Sequence, residues 1–270
     1  MKNKIRNKTN KSRIHFWDRC FFKRDLFLTD EYERPSIHRL SVTIVIAGDK
    51  PFSIRDENNQ QKYYQGIILG PSVNNSTVHA IDSETTSFDA FITTPAYWNL
   101  MSTLNGKQAR SFTPTELLNT QNLCRENFYK ELNQEEVTSL FESVVYALCD
   151  RNFTKKIDPR IKEVCQLVEE YPADEISINF LAGKINLSES RLRALFKQEM
   201  QCVLSLYIRN VAVWKTLPML AQGLNFTQAA HEAGFHDLSH YSRAVAGFTG
   251  GSPSDIHSEE FSLTFGFDTK

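Results

Sequence analysis

Ser190 stands three and four residues before Arg193 and Ala194, and these stand four and three before Lys197, so a helix places all four on one face and Leu192, Leu195 and Phe196 on the other. The apolar face is core. The outer face, with a hydroxyl, a guanidinium, a methyl and an ammonium group, is free to enter a groove. In front of this helix stands ISINFLAGKINLS, in which Ala182 precedes Asn186 by four residues. A small residue there fits a helix crossing, and Asn tolerates the left-handed backbone that turns the chain. The pattern recurs in FTQAAHEAGFHDLSHYSR, where Ala230 precedes Gly234 by four residues. An apolar residue follows each turn (Leu187, Phe235), then a polar cap (Ser188, Asp237) and a second helix, with one residue inserted in the second copy. Two tandem helix-turn-helix units point to a double reader of duplex DNA.

The run AAHEAGFHDLSHYSR and the closing GGSPSDI, taken with the duplication, resemble the DNA-binding domain of the AraC/XylS family of bacterial transcription regulators. That family ends its second unit with Phe-Gly-x-x-Pro-Ser. Here Gly250, Pro253 and Ser254 match, and Thr249 stands where the Phe would be. The resemblance covers the C-terminal third of the chain. By motif position it implies that Ser190, Arg193 and Ala194 face bases from the first unit, and Leu238, Ser239, Ser242 and Arg243 from the second. Arg193 and Arg243 would then pair with guanine, and Ala194 and Leu238 would meet a thymine methyl. Arg191, Lys197 and Arg209 are the phosphate candidates. The implied partners are double-stranded promoter DNA, a small-molecule effector and RNA polymerase; no cofactor and no metal is expected.

Charge runs against a strongly DNA-binding domain. Residues 174–257 hold seven bases and seven acids, whereas nucleic-acid domains are usually basic. Arg191, Arg193, Lys197 and Arg209 gather in or just after the first unit. The second offers Arg243 with His236 and His240, and carries Ala246 and Gly247 where the family usually has bases. Phosphate attraction is therefore expected mainly from the first unit.

The elements that must position these helices are read from the rest of the chain. Residues 1–34 open with nine bases among the first twenty-four residues and read as a basic arm, whose His15, Phe16, Trp17, Phe21, Phe22 and Phe27 dock on something apolar. From Arg39 to Thr94, runs rich in Val, Ile, Thr, Tyr and Phe alternate with turn residues, the mark of an antiparallel barrel or sandwich. The family's effector domain is frequently a cupin-like barrel, and this region looks like one. Catalytic cupins hold a metal with an HxH pair and further ligands. His79 stands alone and reads as a strand-end polar residue.

After Pro95 the pattern turns helical. Thr113 caps a helix whose first residue is Pro114. In QEEVTSLFESVVYALC, Val137, Leu140, Phe141, Val144, Val145 and Leu148 form an apolar stripe that either covers its own barrel or pairs two chains as a homodimer. A charged linker, 151–160, leads to DPRIKEVCQLVEEY, and the first reader is expected to begin near Asp174. CVLSLYIRNVAVWKTLPMLAQG joins the readers as one helix, in which Pro218 demands a kink or a fresh start.

Five cysteines without a CxxC pair read as buried thiols of a reducing cytoplasm. No apolar run reaches a membrane span of about 18 residues, so no membrane partner is expected. The resulting fold class is α+β: an N-terminal cupin-like β-barrel with helices, followed by an all-α domain of two helix-turn-helix units. Its division is an arm (1–34), an effector and dimerisation domain (35–150), a linker (151–160), a DNA-binding domain (161–258) and a tail (259–270). A sequence-specific, non-enzymatic regulator is the leading expectation. A protein-binding module built on a degenerate reader, or a cupin-type enzyme, are the alternatives.

Overall fold

The computed structural model describes residues 11–27, 39–55, 60–71, 78–80, 82–149, 153–249 and 261–266. Gly250, Gly251, Ser252, Pro253 and Ser254 of the closing motif lie outside these residues, as do Lys2, Lys4, Arg6, Lys8 and the side chains of His79 and Thr249.

Among the described residues ten strands form two sheets. The larger one uses β1 (Lys11–Trp17), β2 (Cys20–Phe27), β3 (Ser41–Ala47), β6 (Gly66–Leu69), β8 (Ser83–Phe91), β9 (Ala109–Ser111) and β10 (Phe261–Phe265), in the order β10-β1-β2-β8-β3-β6-β9. The smaller comprises β4 (Phe52–Arg55), β5 (Gln61–Tyr64) and β7 (Val78–His79), in the order β5-β4-β7. Val45, Ala47, Ile67 and Leu69 of the large sheet share one core with Phe52 and Ile54 of the small one, so the two sheets face each other as a cupin-like barrel requires. Register extends that inner face across the large sheet. Asp25 lies opposite Thr85, Lys23 opposite Ser87 and Phe21 opposite Asp89. Those three in turn lie opposite Ala47, Val45 and Thr43. The interior is thus apolar toward the small sheet and polar toward β1 and β2.

The basic arm is corrected from Lys11 onward. Residues 11–27 form a hairpin inside the sheet, turned by Asp18 and Arg19 at φ 26° and 62°. Several of its charges are used internally: Lys23 pairs with Asp25 at 2.8 Å, and Arg19 with Glu169. Arg24 donates to the carbonyls of Asn127 and Phe128 at the end of a helix, where a cation suits the dipole. The tail also departs from expectation. β10 returns to pair in parallel with β1, Phe265 stacks on Phe16, and the Gly266 N–H donates to the Phe16 carbonyl.

Helices α1 (Pro95–Thr103), α2 (Pro114–Asn127) and α3 (Gln134–Leu148) contribute to the core on the other face of the large sheet. Thr94, Thr113 and Asn133 cap them, the last two in capping boxes with Glu116 and Glu136. Val137, Leu140, Phe141, Val144 and Leu148 are all buried in the chain's own core, and the Phe141 ring lies 5.5 Å from Trp17 and 5.7 Å from Phe88. This corrects the homodimer reading of that stripe, because side chains already packed on the barrel leave too little surface to hold a second chain.

Candidate nucleic-acid interface

The helical region starts with α4 (Pro159–Glu170), capped by Asp158, and a 3-10 turn at Ala173–Glu175. Two helix pairs follow: α5 (Ile178–Lys184) with α6 (Glu189–Met200), and α8 (Phe226–Glu232) with α9 (Leu238–Thr249). In both pairs the first helix has 7 residues and the second 12. The first unit begins at Ile178, capped by Ser177, because Asp174 belongs to the separate 3-10 turn.

The two turns are built alike. Asn186 and Gly234 take positive φ, 53° and 81°, and the N–H of the next residue closes onto the small residue of the crossing: Leu187 to the Ala182 carbonyl at 3.0 Å, Phe235 to that of Ala230 at 2.9 Å. Asn serves in the first copy, but the second requires Gly. A Cβ on Gly234 would lie 2.4 Å from the Ala173 N, since the 3-10 turn rests directly on this corner. Side-chain caps then start the second helices. Ser188 accepts from the Arg191 N–H, and Asp237 from the His240 N–H at 2.6 Å. That bond, with His236, holds the Asp237 carboxyl below the usual range.

Helix α6 buries Leu192, Leu195 and Phe196 and exposes Ser190, Arg191, Arg193, Ala194 and Lys197. On α9, Leu238, Ser239 and Arg243 are exposed and Ser242 is half-buried, while Tyr241, Val245 and Phe248 are core. The expected outer faces are therefore open. Two features lay beyond the sequence reading. Arg193 is ion-paired with Glu189 at 3.3 Å, one helical turn away, a spacing that was visible in the sequence. Lys215 is spent internally, donating at 2.6 Å each to the carbonyls of Val168, in the last turn of α4, and Tyr171, just past its end. The exposed Arg209 lines a groove of about 520 Å³ with His231, His236 and His240, which brings a base from the segment between the units together with side chains of the second unit.

Helix α7 (Leu204–Ala221) joins the units, burying Tyr207, Val211, Trp214 and Leu217. Pro218 lies inside its last turn, and the helix runs through it without a fresh start. The same helix abuts the barrel. Trp214 meets Phe16 and Phe91 of the sheet at 6.0 Å and Phe248 of α9 at 5.3 Å, and the Asn210 side chain accepts from the Leu40 N–H. Barrel and helical region share one core.

Two helical pairs of the same construction, presented by one connecting helix, define a double helix-turn-helix domain of the DNA-binding kind. Residues 181–258 match the helix-turn-helix domain family, and the domain is of AraC type. The chain is 26% identical over 113 residues to YbfI of Bacillus subtilis (strain 168), an HTH-type transcriptional regulator; the match spans 40% of this chain and 41% of that relative. Among solved structures, ToxT from Vibrio cholerae is similar over 92% of this chain and 98% of its own, at 13% identity and a TM-score of 0.54. ToxT with a bound unsaturated fatty acid gives 12% identity over 93% of this chain and 95% of its own, with a TM-score of 0.55. At such identities the likeness is one of fold. No helix among the described residues is long and apolar enough to cross a membrane.

Proposed function

We propose that this chain is a transcription regulator that reads promoter DNA with α6 and α9 and takes a small effector in its N-terminal barrel. The duplicated helix-turn-helix with both outer faces open carries the DNA half of this reading. Ser190, Arg193, Ala194, Leu238, Ser239, Ser242 and Arg243 are the base readers, and Arg191, Lys197 and Arg209 the phosphate contacts. Arg193 must exchange Glu189 for a base edge, a small cost for an exposed pair.

The effector half is supported by the polar part of the barrel interior. Thr85 Oγ1, Asp89 Oδ1, Ser41 Oγ and Arg39 Nε are buried without a hydrogen-bond partner among the described residues. Such groups are costly unless something satisfies them. With the Lys23–Asp25 pair alongside, this face suits a small polar molecule, in contrast to the fatty acid bound by ToxT.

Genome-wide occupancy of the protein supplies the operator, and fluorescence anisotropy at two salt concentrations then tests the reading. Arg193→Ala should weaken operator binding by ~1–3 kcal/mol and relax preference at one base pair. Lys197→Ala should weaken binding to every sequence and lower the salt slope by about one. The balanced charge of residues 174–257 favours one rival, a degenerate reader that holds another protein. Absence of salt-dependent DNA binding would establish that rival and sink the proposal.

A further inference from the structure

On the helix-covered side of the sheet, away from the barrel interior, lies a cavity of about 450 Å³ at the β1–β2 turn, within the size range of small-molecule sites. Trp17, Pro95, Phe141 and Val145 supply apolar walls. Among the described residues its lining includes two charged side chains, Asp18 and Glu142, both exposed, and no base. Arg19, beside Asp18 in sequence, is ion-paired with Glu169 and so leaves the negative charge standing. Tyr146, also lining the cavity, is 86% exposed and adds an aromatic surface at the solvent side.

We propose that this cavity binds a small amphipathic cation, an aromatic amine or quaternary ammonium compound, with its charge near Asp18 and Glu142 and its apolar body against Trp17, Phe141 and Val145. Charge decides the class. An anion of the same shape meets two carboxylates and no counter-charge among the described lining residues, and a neutral molecule gains only the apolar contact. An indole is also the best side-chain platform for a cation. Asn99 lines the same cavity and accepts from the Phe153 N–H, so one hydrogen bond links the cavity wall to the residues that approach α4. A ligand here is thus placed to bias the approach to the first reader. This inference goes beyond the proposed function and does not depend on it, because binding is read without DNA.

Isothermal titration of the whole chain with benzyltrimethylammonium, benzyl alcohol and phenylacetate tests it. The cation should bind saturably, the alcohol at least about tenfold more weakly, and the carboxylate not at all. Glu142→Gln, on an exposed helix face, and Asp18→Asn, whose Asn tolerates the positive φ of the turn, should each weaken the cation by about fivefold or more while leaving the circular dichroism spectrum unchanged. Failure of the cation to bind, equal binding of phenylacetate, or undiminished binding by both variants would each overturn the proposal.

Discussion

His15 shows how one residue ties three distant parts of the chain together. Its Nδ1 lies 2.7 Å from Thr264 Oγ1 on β10, and its Nε2 lies 2.8 Å from Gln134 Oε1 at the start of α3. The Gln oxygen can only accept, so Nε2 donates and Nδ1 receives the Thr hydroxyl, an arrangement of the neutral ring. Burial lowers its pKa from 6.5; the Gln134 bond opposes this and the nearby Arg24 charge adds to it. With the folded value below the unfolded one, the unfolded chain takes up the proton first as pH falls. The ring's contribution is therefore complete above about pH 6.5 and is lost as pH falls through the folded value. Between about pH 7.5 and pH 5.5 the melting temperature should fall further in the native protein than in His15→Gln. Parallel pH profiles for the two would remove His15 from this role. The thiols behave differently at the same scale: burial raises Cys124 and Cys202 to about 12 and Cys165 to about 11, so they stay protonated and inert.

At the scale of elements, the two readers differ most at their corners. Gly234 has φ 81° and no room for a Cβ, whereas Gly183 sits within α5 with nothing within 4 Å of the position a Cβ would take. Gly234→Ala should cost more than ~1 kcal/mol, since it combines left-handed strain with a backbone clash against the 3-10 turn. Gly183→Ala should stabilise by up to ~1 kcal/mol through helix propensity alone. Urea denaturation of both variants checks this, and equal effects would mean that the second corner is not held against Ala173. The capping boxes of α2, α3 and α8 were open to sequence reading because Thr113, Asn133 and Asn225 lie three residues before Glu116, Glu136 and Gln228.

For the whole molecule the decisive feature is that α7 belongs to two structures at once. Its Trp214 is 1% exposed, with Phe16 and Phe91 of the barrel on one side and Phe248 of the second reader on another. Arg19–Glu169 and the parallel β10–β1 pairing cross the same boundary. Trp214 thus joins the sheet directly to the helix that connects the two readers. Trp214→Ala should cost about 3–5 kcal/mol, and because it empties the shared core it should split thermal unfolding into two transitions. Calorimetry reads this directly. A single transition of native enthalpy would show that the two halves do not depend on Trp214 for their cooperativity.

What the amino-acid sequence determined by itself was local. The 3.6-residue periodicity of α3, α6 and α7, the Ala-to-Asn and Ala-to-Gly spacings of the two corners, and the β-rich runs that became β3, β4, β6 and β8 were all legible, because each is set by neighbours within a few turns of chain. The outer face of α6 followed from the same periodicity, and that of α9 from the motif positions that the family resemblance implied. Only the tertiary structure decided which surfaces meet. Lys23 reads as a solvated base until Asp25 and Ser12 appear on the same inner face, and the stripe of α3 is equally apolar whether barrel or second chain covers it. The hairpin of β1 and β2 was hidden by its charges. β10 alternates apolar and polar residues in FSLTF as a strand does, but its partner left no mark, since pairing between residues some two hundred and fifty apart depends on an open strand edge that periodicity cannot locate.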